Sequence, residues 1–69
     1  MDEENLRRAF AGAPAAFQVF LEEALGVART GNRAEAVEQF QKLLRHPQLT
    51  PAQRAAVEET LVRLQRGQP

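Results

Sequence analysis

Apolar residues recur along this chain at intervals of three and four. Phe17, Phe20, Ala24 and Val27 form one stripe, and Leu21, Leu25 and Ala28 form another beside it. Ala36, Phe40 and Leu43 repeat the spacing, as do Val57, Leu61 and Leu64. This is the period of a helix with one face turned inward. No stretch alternates apolar and polar residues as a half-buried strand does.

Glycine and proline divide the pattern into four segments, with helices expected at about 2–11, 14–30, 33–45 and 51–66. Asp2 is placed to cap the first helix, with Glu3 and Glu4 in the turn that favours negative charge. Glu3–Arg7, Glu4–Arg8 and, on the third helix, Glu38–Lys42 are i,i+4 pairs in the favourable order. Leu6 and Phe10 are the first helix's apolar seam, and Gly12 and Pro14 close it. Pro14 sits at or near the first position of the second helix, where a missing N–H costs nothing. Gly31 can take positive φ and end that helix, and Asn32 can cap the next. Pro47 stops the third helix at His46. Thr50 followed by Pro51 starts the fourth, and Gly67 ends it, leaving Gln68-Pro69 as an expected disordered tail. The chain reads as one all-α domain over residues 1–69, a small bundle of four antiparallel helices.

The two stripes on the second helix make an apolar sector wider than one neighbouring helix covers. That width implies either a helix sandwiched between neighbours or one that receives a partner.

From Phe17 to Pro47 the chain resembles a tetratricopeptide repeat, a helical hairpin of about 34 residues. The small residue of the family's first helix falls on Ala24, its turn glycine on Gly31, its second-helix alanine on Ala36 and its aromatic on Phe40. Phe20 lies where a large aromatic is expected and Val27 where tyrosine is common. The chain departs from the pattern at Glu23, where leucine is usual, at Leu43, where alanine is usual, and at Pro47, one residue early. The resemblance covers one repeat, slightly under half of the chain. It makes the first helix an N-terminal cap and the fourth either a C-terminal cap or the first helix of a following repeat. It implies a partner's extended peptide or helix held on a face carrying Gln18, Leu21, Leu25, Ala28 and Arg29. Leucines at two positions that some relatives use to clamp a carboxylate argue against that ligand and for an apolar peptide or amphipathic helix. Leu25→Asp should then abolish partner binding and spare helicity. Two other arrangements bury the same stripe: cover by Leu6 and Phe10 of the first helix, or a symmetric dimer. The competing functional class is structural, a self-associating bundle or a piece of a larger repeat protein.

Composition narrows the function further. Nine basic residues balance nine acidic ones and are interspersed with them. There is no basic stripe to neutralise phosphates, so nucleic acid is not an expected partner. The acidic opening Met1-Asp2-Glu3-Glu4 is unlike a secretory signal. No run approaches the ~20 apolar residues that span a bilayer, and a cytoplasmic location is expected. The chain has no cysteine and one histidine, His46, so no metal site is expected. Serine is absent as well, and His46 has no nucleophile to activate. Glu22-Glu23 and Glu58-Glu59 are adjacent in sequence and point about 100° apart on a helix. These observations argue for a non-catalytic protein without a cofactor.

Overall fold

The computed structural model describes residues 2–67, and the tail expected at Gln68-Pro69 lies outside them. The chain folds into α1 (Glu3–Ala9), α2 (Ala15–Arg29), α3 (Arg33–Leu44) and α4 (Pro51–Gln65), with no strand among the described residues. Four helices packed on one another as a small all-α bundle is the expected fold class.

The helix ends follow their capping chemistry. Asp2 Oδ1 accepts from the Asn5 N–H at 3.0 Å. Asn32 Oδ1 accepts from the Glu35 N–H at 3.3 Å, and its amide reaches back to Glu35 Oε2 at 2.9 Å. Thr50 and Gln53 form a reciprocal capping box, with bonds of 3.1 and 3.0 Å, which satisfies two backbone donors at once. Gly31 has φ +85°, the left-handed conformation that terminates α2 after Thr30. All bounds lie within two residues of expectation, and two of the differences have a clear local cause. Pro14 is the N-cap of α2, with ψ 149°, so the helix proper begins at Ala15. Helix α1 stops at Ala9, because after the last α-type bond, from the Phe10 N–H to Leu6 O, the chain tightens, with Ala11 and Ala13 closing three-residue turns on Arg8 and Phe10.

One core holds Leu6 and Phe10 of the N-terminal segment, Leu21, Ala24 and Leu25 of α2, Ala36, Phe40 and Leu43 of α3, and Val57, Leu61 and Leu64 of α4. Helix α2 packs on α3, α3 on α4, and α4 on α1. On α4 the buried face is wider than the Val57, Leu61, Leu64 seam, for it includes Gln53, Ala56 and Thr60. Its position between α3 and α1 requires that. Thr60 is accommodated by donating its hydroxyl to Ala56 O at 2.9 Å. Arg54 donates to Leu44 O at 3.0 Å, answering a carbonyl at the open end of α3.

Candidate functional site

The five residues expected to meet a partner lie on α2, and the structure puts them into two different environments. Leu21 is 2% exposed and Leu25 is fully buried, so neither is a surface contact in this fold. This corrects the picture of an open apolar centre. The stripe has intramolecular cover, with Leu6 and Phe10 in the same core. Ala28 is half-buried against that core, while Gln18 and Arg29 are exposed.

Gln18 and Arg29 belong together because both hold the N-terminal segment. Arg29 makes a two-pronged ion pair with Glu3, its Nε lying 3.2 Å from Oε2 and its Nη2 on Oε1. One turn further along α1, Arg7 pairs with Glu22 at 3.1 Å. At the opposite end Gln18 Nε2 donates to Ala11 O and Ala13 O at 3.3 and 3.0 Å. As the numbers rise along α1 they fall along α2, so the two helices run antiparallel with a polar ladder between them. Gln18 and Arg29 are eleven residues apart, a helical rise of about 16 Å.

This seam is unlike the other junctions. Helices α1 and α2 follow one another in sequence, yet the close packing of α1 is on α4. Long side chains bridge the remaining space, leaving a cleft of about 140 Å³ lined by Arg7, Phe10, Ala11, Gln18, Leu21 and Glu22. Phe10 and Leu21 lie buried at its floor, and its rim carries one charge of each sign. Beside it on the outer face of α2 stands Val19, 58% exposed among Gln18, Glu22 and Glu23.

The Arg29 guanidinium hydrogen-bonded to Glu3 holds that carboxyl below its ordinary range, against a smaller opposing effect of burial. His46 lies at the end of α3, its ring 5.0 Å from that of Phe17 and 6.4 Å from that of Phe20. There it covers aromatic edges. Among the described residues no group of three or more His, Asp or Glu side chains is arranged to hold a metal ion, and no helix is long and apolar enough to cross a membrane.

Glu22 and the α1 residues Glu3 and Arg7 are the members of this site that the sequence did not mark. The i,i+4 rule reaches only pairs within one helix, whereas these pairs cross 15 and 26 positions. Comparison of the chain with protein-family models, with curated proteins and with solved structures finds no match.

Proposed function

We propose that the protein is a non-catalytic protein–protein interaction module that takes a peptide or amphipathic helix of a partner along the α1–α2 seam. The observation that carries this reading is the seam itself: two consecutive helices bridged by exposed side chains over a cleft whose apolar floor, Phe10 and Leu21, those bridges cover. When the polar bridges open, that floor gives a partner's leucine or phenylalanine a place to anchor, and buried anchors of that kind dominate binding energy at interfaces. Gln18 and Arg29 stand at the two ends, where a polar rim orients the ligand. The hairpin of α2 and α3 is tetratricopeptide-like on this reading, with α4 in the place of a following first helix.

The test is direct binding to the full chain. A partner isolated on it and then purified should lose affinity by about tenfold when Arg29→Glu reverses one end of the seam. Val62→Arg, on an exposed part of α4, should leave affinity unchanged. A partner indifferent to Arg29→Glu and to Glu22→Arg binds elsewhere and removes the seam as the site.

A further inference from the structure

Helix α1 shows what kind of partner the seam recognises. Glu3, Leu6, Arg7 and Phe10 stand at i, i+3, i+4 and i+7, one face of one helix. All four are engaged: Leu6 and Phe10 are buried to within 1% exposure, Glu3 is on Arg29, and Arg7 is on Glu22. We infer that α1 is a resident, displaceable ligand, and that the partner is an amphipathic helix of the same pattern, an acidic residue followed by Leu-Arg at the third and fourth positions and an aromatic at the seventh. This rests on the seam being the binding site.

Three features make α1 exchangeable. At seven residues it is far shorter than the ~12 that sustain an isolated helix, so it is helical only while docked. Its ties to α2 are ion pairs whose side chains are 32–53% exposed, and pairs in that setting contribute little. The connection to α2 is exposed at Ala11 and Gly12, and the Gln18 amide bond that ties Ala11 O there is one water can replace. The partner's chemistry follows from charge complementarity: the released Arg29 requires an acidic residue and the released Glu22 a basic one, one turn apart.

The experiment uses the full chain carrying Arg29→Glu and Glu22→Arg, two exposed changes, with a nitroxide on Glu4→Cys, a unique label because the chain has no cysteine. The probes are a synthetic peptide of residues 2–11 and the same peptide with Glu3→Arg and Arg7→Glu. They are titrated to millimolar concentration, since a tethered competitor acts at about that level. The charge-reversed peptide should bind the charge-reversed chain about tenfold tighter than the parent peptide does, and the nitroxide spectrum should narrow as α1 leaves. Full-length Phe10→Ala, whose resident helix lacks its anchor while the probe keeps one, should bind the parent peptide more tightly than the parent chain does. Binding without narrowing means the ligand sits beside α1: the seam stands as a site and the exchange is refuted. Equal binding of both peptides refutes the charge pattern. No binding to either variant, with helicity retained, refutes both the exchange and the seam.

Discussion

At the residue scale, burial sorts side chains that the sequence presents as equals. Phe40 has no exposed surface, and Phe40→Ala should lower the unfolding free energy by about 3–5 kcal/mol in urea denaturation. Leu25, equally buried, will not tolerate a charge. Leu25→Asp should abolish the cooperative unfolding transition, where an open groove would have left helicity intact, and circular dichroism decides between the two. Leu21 and Leu25 were legible as an apolar stripe, but a stripe looks the same whether its cover belongs to the same chain or another. Glu3 gives a pH prediction. Its carboxyl titrates below its ordinary 4.5 because Arg29 bonds the ionised form. The stability it contributes is therefore complete above that ordinary value and lost as pH falls through the lower folded value. Denaturation midpoints measured from pH 6 downward should fall less steeply in Glu3→Gln than in the parent chain.

At the scale of elements, the turns and caps were the most legible part of the sequence because each rests on local chemistry. Gly31 is a clear case: an added Cβ there meets nothing, and φ is +85°, so Gly31→Ala is penalised by backbone strain alone, about 1–2 kcal/mol of unfolding free energy. Thr50→Ala should cost about 1 kcal/mol, and the Gln53 backbone N–H, left without the Thr50 hydroxyl that accepts from it, should exchange faster at the start of α4. The local ion pairs Glu3–Arg7, Glu4–Arg8 and Glu38–Lys42 form as their spacing requires, at 3.8, 3.3 and 3.5 Å. What the sequence concealed is which helix lies beside which. The buried Gln53 and Thr60 give α4 a second inward face that no apolar periodicity records. The ladder joining α1 to α2 depends on residues that meet only after the bundle has closed.

At the scale of the whole molecule, the apolar stripe of α2 is already covered within one chain. Sedimentation equilibrium over a hundredfold concentration range should therefore give a monomer near 7.7 kDa. A dimer that strengthens with concentration would instead favour the structural, self-associating reading. The packing order also has a consequence for synthesis. Helix α1 leaves the ribosome first, but its close neighbour α4 begins 42 residues after α1 ends, two to eight seconds later at about 5–20 residues per second. The residues of α2 and α3 are made in that interval, while Leu6 and Phe10 lack the helix on which α1 packs most closely. A nascent chain stalled before Pro51 should therefore hold α1 more loosely than the full chain does, its apolar face open to any factor that scans emerging polypeptides for apolar residues.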